Sequence, residues 1–477
     1  DKYGFGGILA DDMGLGKTVV TLTAIDELIY NCYEIEKVLV IAPLRVAEDT
    51  WSRECEKWDH LRHLRISKIL GTPSQRRNAL LQEADIYIIN TCTVTNIADR
   101  KSRQMLHKAK KMNPQAVVVA AGCYAQAQKG EEIDEAIDIV LGNNRKQDLI
   151  AVLEEYQSGN GQKEERIDLE KPVEYEELEL ASTGEHTRAY LKVQDGCNQF
   201  CSYCIIPYVR GRVRSRKREE VIKEVERLVA LGYQEFVLTG IHLSSYGIDC
   251  EDSLLNLIVA VQNVEGVKRI RLGSLEPRII TEEFVKTLSS LPAICPHFHL
   301  SLQSGCTETL KRMNRKYTAG EYLEGCRLLR KYFDHPALTT DVIVGFPGET
   351  EEEFKASKEM VSEAKFYETH IFKYSRRKGT RADKMENQIP EQVKASRSHE
   401  MIELGKAHQK EYMEYYLGKQ VEILFEETTE INGQTYWVGH TREYIKVAVL
   451  SEKNLENQLV TGEITEFLQD GIFNCRI

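Results

Sequence analysis

Three cysteines fall within eight residues, Cys197, Cys201 and Cys204, in the run Asp-Gly-Cys-Asn-Gln-Phe-Cys-Ser-Tyr-Cys. The C-x3-C-x2-C spacing can bring three thiolates to three irons of one [4Fe-4S] cluster and leave the fourth iron without a protein ligand. A zinc site usually needs a fourth Cys or His nearby at tetrahedral spacing, so the tight triad argues for iron. Three buried cysteines without metal are the plainer alternative, but clustering at this density is a metal signature. A second motif, Gly14-Leu-Gly16-Lys17-Thr18, has the make-up of a phosphate loop. Its backbone amides suit phosphate, Lys17 the β/γ-phosphates and Thr18 a Mg2+ ion, which makes ATP/Mg2+ a candidate ligand there. A third feature is six cations in nine residues directly after the triad: Arg210, Arg212, Arg214, Arg216, Lys217 and Arg218. Placed there, they suit a phosphate backbone approaching the open iron, with a solvated charge run as the alternative.

The elements that must hold these residues are legible as alternating patterns. Candidate strands are 189–194, 235–239, 267–273, 297–303, 338–344 and 370–374, with helical periodicity between them, as over 219–231 and 351–364. Six β/α units predict a partial (β/α)6 barrel, whose chemistry belongs at the C-terminal strand ends. The triad follows the first of these strands. After a long polar helix at about 391–416, short alternating strands at 420–425, 436–440, 445–450 and 462–468 predict a small OB-like β-barrel. Trp437, Tyr444 and Lys446 are its candidate stacking and phosphate-contacting residues, with a place in the barrel core as the plainer alternative for the two aromatics. The class is therefore α/β with a β-rich tail.

The chain has 477 residues, enough for about three domains. Its net charge of -11 is unusual for a nucleic-acid enzyme, yet residues 154–180 alone carry ten acidic and three basic residues and read as a solvated linker. No long apolar run or leader pattern is present, which predicts a cytoplasmic protein with no membrane partner. In that compartment the twelve cysteines are thiols or cluster ligands. Cys32, Cys55, Cys250, Cys295, Cys306, Cys326 and Cys475 lack ligand spacing.

The triad resembles the signature of radical S-adenosylmethionine enzymes, in which the methionyl amine and carboxylate of that cofactor chelate the open iron. From Asn90-Thr-Cys-Thr-Val-Thr-Asn96 to the C-terminus the chain is similar to the methylthiotransferases, which insert a methylthio group into tRNA or a ribosomal protein. The resemblance implies a flavodoxin-like first domain holding a second, auxiliary cluster. Cys92 in Asn-Thr-Cys-Thr-Val and Cys123 in Ala-Gly-Cys-Tyr-Ala-Gln match two of its three ligands, and the first ligand has no counterpart. It also implies that Thr239, Gly240, Ser274, Glu276, Ser301, Gln303 and Asp341 line the S-adenosylmethionine pocket. The tail is similar to a TRAM domain, which grips tRNA. Leu238-Thr-Gly-Ile-His242, Arg271 to Pro277 and His299 to Gly305 look most like the branch acting on N6-threonylcarbamoyladenosine, with His242 either a substrate contact or a structural residue. Implied partners are tRNA and an electron donor such as flavodoxin or ferredoxin. One cofactor molecule would yield the radical that takes hydrogen from C2 of the base, and a second would methylate sulfur on the auxiliary cluster.

Ile8-Leu-Ala-Asp-Asp-Met-Gly-Leu-Gly-Lys-Thr18 and Ile41-Ala-Pro-Leu-Arg-Val-Ala-Glu-Asp-Thr-Trp51 resemble instead the start of a Swi/Snf-type helicase-like ATPase. No acidic Mg2+-binding strand or arginine-finger lobe follows. The two resemblances meet within Ala84 to Asn90 and both are incomplete there, which points to a hybrid chain, with a genuine two-domain enzyme carrying an ATPase as the alternative. The expected divisions are 1–85 helicase-like, 86–152 a truncated flavodoxin-like or P-loop-like sheet, 153–185 linker, 186–412 barrel and 413–477 tail barrel. Competing functions are a nucleic-acid-dependent ATPase and a tRNA-binding protein without catalysis.

Overall fold

The run Ile86-Tyr-Ile-Ile-Asn-Thr91 is apolar on both faces, as a strand inside a parallel sheet must be. In the computed structural model, which describes residues 86–93, 95–128, 133–159, 164–165, 174–176, 187–469 and 471–477, it forms β1 (Ile86–Thr91). Gly14, Gly16, Lys17, Thr18 and the whole helicase-like stretch lie outside the described residues. The chain divides into two compact units, 1–184 with 204–212, and 185–203 with 213–477.

In the first unit β1, β2 (Val117–Gly122), β3 (Ile139–Leu141) and β4 (Glu164–Glu165) make one parallel sheet in sequence order. Helix α1 (Asn96–Met112) starts where Thr95 Oγ1 accepts from Ala98 N at 3.1 Å, and carries Lys110 and Lys111 in its last turn, as the helix dipole favours. Its Leu106 and Ala109 pack on Tyr87, Ile89, Val118 and Ala120. A short helix α2 (Cys123–Ala127) follows β2 directly, and α3 (Leu149–Gln157) continues through the point where the linker was expected to begin.

In the second unit β5 (Arg188–Asp195), β6 (Glu235–Gly240) and β7 (Arg269–Leu272) pair in parallel, as do β8 (His297–His299), β9 (Ala337–Val344) and β10 (Glu368–Lys373). A parallel bridge between Leu275 and Leu300 joins the two sets, so six parallel strands run in sequence order, as the alternation predicts. Helices α4 (Arg218–Ala230), α5 (Leu254–Gln262), α6 (Glu282–Ser289), α7 (Thr307–Arg312), α8 (Ala319–Tyr332) and α9 (Glu351–Ala364) connect them. Reciprocal capping boxes, Thr318 with Glu321 and Thr350 with Glu353, fix where α8 and α9 begin. The fourth strand is shorter than its apolar pattern suggests. Beyond His299 the chain leaves the ladder and Gln303 takes a φ of 67°.

Helix α10 (Glu391–Glu414) spans the expected 412/413 division, and its last turn enters the apolar core of the tail through Tyr412, Met413 and Tyr416. The tail is a closed five-stranded barrel of β11 (Gln420–Ile431), β12 (Gln434–Thr441), β13 (Lys446–Val449), β14 (Leu459–Gln469) and β15 (Ile472–Arg476), in the order β11-β12-β13-β15-β14. Asn432 and Gly433 turn β11 into β12 with φ of 52° and 77°, the left-handed pair a two-residue hairpin requires. Trp437 packs against the barrel core, which corrects its expected role as a stacking platform.

Candidate active site

The cluster loop leaves β5 through a tight turn. Gly196 N donates to Asp195 Oδ1 at 2.7 Å, and Gln194 Nε2 donates to the carbonyls of Asp195 and Gly196 at 2.7 and 2.8 Å. Gly196 and Phe200 both have positive φ, at 69° and 49°. Those two reversals fold the loop back on itself. The segment after α7 then clasps it: Asn314 Nδ2 donates to Phe200 O at 2.9 Å, Ser202 N to Met313 O at 2.9 Å, and Ser202 Oγ to Arg312 O at 2.7 Å. Cys197 and Cys201 are buried and Cys204 is half-buried.

Donors point at the sulfurs. Arg315 Nη1 lies 3.3 Å from Cys201 Sγ, and Gln199 N lies 3.5 Å from Cys197 Sγ. Burial pushes the Cys197 thiol up to about 11, so at neutral pH it becomes a thiolate only when a metal takes the place of its proton. A triad of this spacing, enclosed and faced by N–H donors, fits a [4Fe-4S] cluster.

The residues expected around S-adenosylmethionine divide into two groups. Gly240 ends β6 against Gln194, whose Oε1 also accepts from His242 N at 2.7 Å. Glu276 is buried beyond β7, its backbone N bonded to Ser244 Oγ at 2.8 Å and its carboxylate to Arg278 at 3.1 Å. Beyond the end of β8, Gln303 meets Asp341 of β9, Gln303 N donating to Asp341 O at 2.8 Å, while Ser301 N donates to Leu275 O at 3.0 Å. Arg315 ties this group to the cluster loop, since its Nη2 donates to Ser301 O at 3.3 Å. Glu276 and Arg315 both lie close enough to Cys197 to act on its thiol, Glu276 raising its pKa and Arg315 lowering it. Two residues fit the pocket less well. Thr239 spends its hydroxyl on Leu191 O at 3.1 Å, and Ser274 is exposed.

His242 sits between these groups. Its Nδ1 lies 2.6 Å from Ser245 Oγ, and its buried Nε2 has no hydrogen-bond partner among the described residues. Burial lowers its pKa, opposed by Glu276 and assisted by Arg315 and Arg278, so the ring is neutral at pH 7.

Three features escaped the sequence reading. His299, Asp341 and His370, on β8, β9 and β10, bring donor atoms within 4.8 Å of one another, with His299 Nε2 3.3 Å from Asp341 Oδ2 and Nδ1 2.9 Å from Thr339 Oγ1. Arg315 lies in Met313-Asn-Arg-Lys-Tyr317, which carries no spacing signal. The third is the run Lys373 to Lys384, bonded to the cluster loop through Ala382 N and Ser202 O at 2.8 Å. It exposes Lys373, Arg376, Lys378, Arg381 and Lys384, and its clustered cations were the available signal.

The basic run after the triad needs correction. Arg214 and Arg216 are buried, Arg216 on Glu224 and Arg214 3.5 Å from Asp195, so neither is placed for phosphate. Arg218 pairs with Asp252 at 3.2 Å, whereas Arg212 and Lys217 are exposed and Arg210 and Lys446 half-buried. Tyr444 is likewise structural, with its ring stacked on His297 and His440 and covered by the guanidiniums of Arg188 and Arg271.

In the first unit, Cys92 and Cys123 each follow directly on one of a register pair of β1 and β2, Thr91 opposite Gly122. Cys92 is exposed. Cys123 is buried, and Asn143 Nδ2 lies 3.5 Å from its sulfur. Two thiols at the C-terminal edge of neighbouring parallel strands suit a shared metal group, with at least one further ligand needed.

Comparison with known proteins agrees with this geometry. Residues 191–361 match the radical SAM superfamily, and residues 62–142 match the uncharacterized protein family UPF0004, a match that begins upstream of residue 85. The chain is 40% identical over 412 residues to the threonylcarbamoyladenosine tRNA methylthiotransferase MtaB of Bacillus subtilis (strain 168), covering 86% of this chain and 91% of that one. It is 35% identical over 403 residues to the tRNA-2-methylthio-N(6)-dimethylallyladenosine synthase of Clostridium novyi (strain NT), covering 82% and 88%. In fold it is similar to the radical S-adenosylmethionine methyltransferase TsrM of Kitasatospora setae with tryptophan and a cofactor analogue bound. There the TM-score is 0.50 at 14% identity, over 77% of this chain and 72% of that one.

Proposed function

We propose, from the premise that this chain belongs to the radical S-adenosylmethionine methylthiotransferase family, that it adds a methylthio group to C2 of N6-threonylcarbamoyladenosine beside the tRNA anticodon. The observation that carries this reading is the clasped loop of Cys197, Cys201 and Cys204 at the C-terminal end of the parallel strands. Relatives named for threonylcarbamoyladenosine reach 40% identity, against 35% for one named for dimethylallyladenosine, which favours the former nucleoside.

Cys197, Cys201 and Cys204 would hold a [4Fe-4S] cluster, which when bound supplies the electron that breaks a sulfonium bond of S-adenosylmethionine. Glu276 offers a carboxylate to the methionyl amine. Gly240 leaves backbone room beside it, and Ser301, Gln303 and Asp341 offer hydrogen bonds to the nucleoside end. The neutral Nε2 of His242 is available to the base. Exposed Lys373, Arg376, Lys378, Arg381, Arg212 and Lys217 supply phosphate contacts for tRNA.

Sulfur insertion needs the second site, for which Cys92 and Cys123 supply two ligands. With two thiolates a cluster there is labile, so the expected behaviour is cleavage of S-adenosylmethionine with little methylthio transfer. The test is anaerobic reconstitution with iron counting, assay of 5′-deoxyadenosine, and mass spectrometry of tRNA nucleosides. Cys201→Ala is expected to abolish 5′-deoxyadenosine formation. Undiminished formation in that variant overturns the site, and efficient 2-methylthio product from the unaltered chain overturns the impaired second cluster.

A further inference from the structure

Arg315 is a half-buried cation with an unusual set of partners. Its Nη1 donates to Cys201 Sγ at 3.3 Å, its Nη2 to Ser301 O at 3.3 Å and its Nε to Tyr317 OH at 3.0 Å, and the guanidinium lies 4.9 Å from the centre of the Tyr317 ring. None of these partners is a carboxylate, and among the described residues none forms an ion pair with it. A guanidinium partly withdrawn from water without a counter-ion is costly. The segment carrying it is held to the cluster loop on both sides, by Asn314 Nδ2 to Phe200 O and by Ser202 to the carbonyls of Arg312 and Met313. Among the described residues, the group its fork meets that can become anionic is Cys201, a thiolate once iron is bound.

We propose that Arg315 is a positioning residue that sets the reduction potential of the cluster held by Cys197, Cys201 and Cys204, its guanidinium serving as counter-ion to the reduced form through Cys201 Sγ. The proposal rests on the cluster reading above. The step is the gain of one electron from a low-potential one-electron carrier of the flavodoxin or ferredoxin class, which is oxidised in turn. No proton moves and no covalent bond changes. Three thiolates make the cluster anionic, and the added electron makes it more so. A fixed cation and N–H donor at one ligand sulfur therefore favour the reduced state and raise the potential. At Cys197 the donor that faces the sulfur is the neutral backbone N–H of Gln199.

The test is an EPR-monitored redox titration of the anaerobically reconstituted full chain in a Cys92→Ala/Cys123→Ala background, which removes any signal from a second site. Arg315→Gln is expected to lower the midpoint so that the reduction equilibrium at fixed potential shifts at least tenfold toward the oxidised form, about 59 mV for one electron. Arg315→Lys keeps the charge but not the fork, and is expected to shift the midpoint by less than half as much. A midpoint in Arg315→Gln within 15 mV of the unaltered chain, about a twofold change, overturns the proposal. Should Arg315→Gln not retain four irons, Arg315→Lys and Tyr317→Phe decide it. Tyr317→Phe leaves the charge in place, so a Tyr317→Phe midpoint displaced further than that of Arg315→Lys overturns the proposal, and the reverse order supports it. If the unaltered chain has no EPR-active cluster that Cys201→Ala removes, the cluster reading itself fails, and this outcome is distinct from a cluster that is present but indifferent to Arg315.

Discussion

A Cβ added at Gly240 would lie 2.8 Å from Gln194 Oε1 and 3.0 Å from Gln194 Cβ. Gln194 cannot yield without loosening the cluster loop, because its amide holds the carbonyls of Asp195 and Gly196 and the N–H of His242. Gly240→Ala is therefore expected to weaken S-adenosylmethionine binding by about tenfold, or roughly 1.4 kcal/mol, measured by titration of the reconstituted chain. His242 is the opposite case, a residue whose removal relieves the fold. Its buried Nε2 lacks a partner, and such an atom costs about 1–3 kcal/mol. His242→Leu is expected to raise the thermal midpoint or leave it unchanged while slowing 5′-deoxyadenosine formation about tenfold, a loss of some 1.4 kcal/mol of barrier lowering. A lower midpoint with full activity would mark the ring as structural.

At the scale of elements, α10 holds the turn after β9. Arg397 on α10 pairs with Glu349 at 2.7 Å, and Glu349 also accepts from Gly345 N at 2.7 Å, all within the buried interior. Burial raises the Glu349 pKa despite the Gly345 and Arg397 contacts, so this carboxylate depends on its partners to stay charged. Arg397→Ala leaves it alone in the core and is expected to destabilise the second unit by about 3–5 kcal/mol, whereas Arg397→Met with Glu349→Gln costs less. Urea denaturation of the two variants distinguishes a buried pair from a surface one by that difference. Such tertiary pairing is what a one-dimensional reading misses. Six barrel strands and α9 were legible because alternation and a Thr350-x-x-Glu353 box are local signals. The pairing of Arg216 with Glu224 and of Arg214 near Asp195 is tertiary or a turn away, so a run that reads as a solvated patch is half interior. The hairpin at Asn432-Gly433 had a local signal that strand-length expectations obscured. The last strand, Ile472–Arg476, alternates too briefly to stand out. The cysteine triad was wholly legible, whereas its Arg315 partner arrives from 114 residues away and leaves no pattern.

At the scale of the second unit, the strand ends opposite the cluster loop meet the tail barrel through charge. One row of the ladder carries Arg188, Glu235 and Arg269 at the starts of β5, β6 and β7. Glu235 accepts from Arg188 and Arg271 at 2.6 Å each. Arg269 reaches Glu422 at 3.0 Å, Arg188 reaches Glu426 at 2.8 Å, and Arg271 donates to the carbonyls of Thr441 and Arg442 at 2.7 Å. Three guanidiniums against three carboxylates balance, and the barrel and tail are one compact unit for that reason as well as through the shared apolar core. Two histidines sit in this junction. His297, facing Arg271, His299, Glu235 and His440, is held well below its ordinary pKa by burial and then by Arg271. His440, 2.6 Å from Glu426 through Nδ1, is also lowered by burial, with Arg188 and Arg271 assisting and Glu426 opposing. Folded, both rings stay neutral at a pH where the unfolded chain binds protons. The stability they contribute is thus full above about pH 6.5 and declines as pH falls toward the folded values, by at most about 1.4 kcal/mol per pH unit for each proton. The Glu235 and Glu426 carboxylates are held down in the folded state, so their contribution persists to about pH 4.5 and is lost only below it. Between pH 8 and pH 5 these two rings contribute to the slope together with His242, His335 and His408, whose pKa values burial also lowers. In a chain with Trp51→Phe and Trp58→Phe, Trp437 reports this unit, and its urea midpoint is expected to fall steadily from pH 7 to pH 5. His297→Asn with His440→Asn should lessen that fall while leaving the steeper acid limb below pH 4.5 in place. A midpoint that holds constant from pH 7 to pH 5 in the unmutated junction would mean that these rings titrate alike in both states, and that the charge row, not burial, governs them.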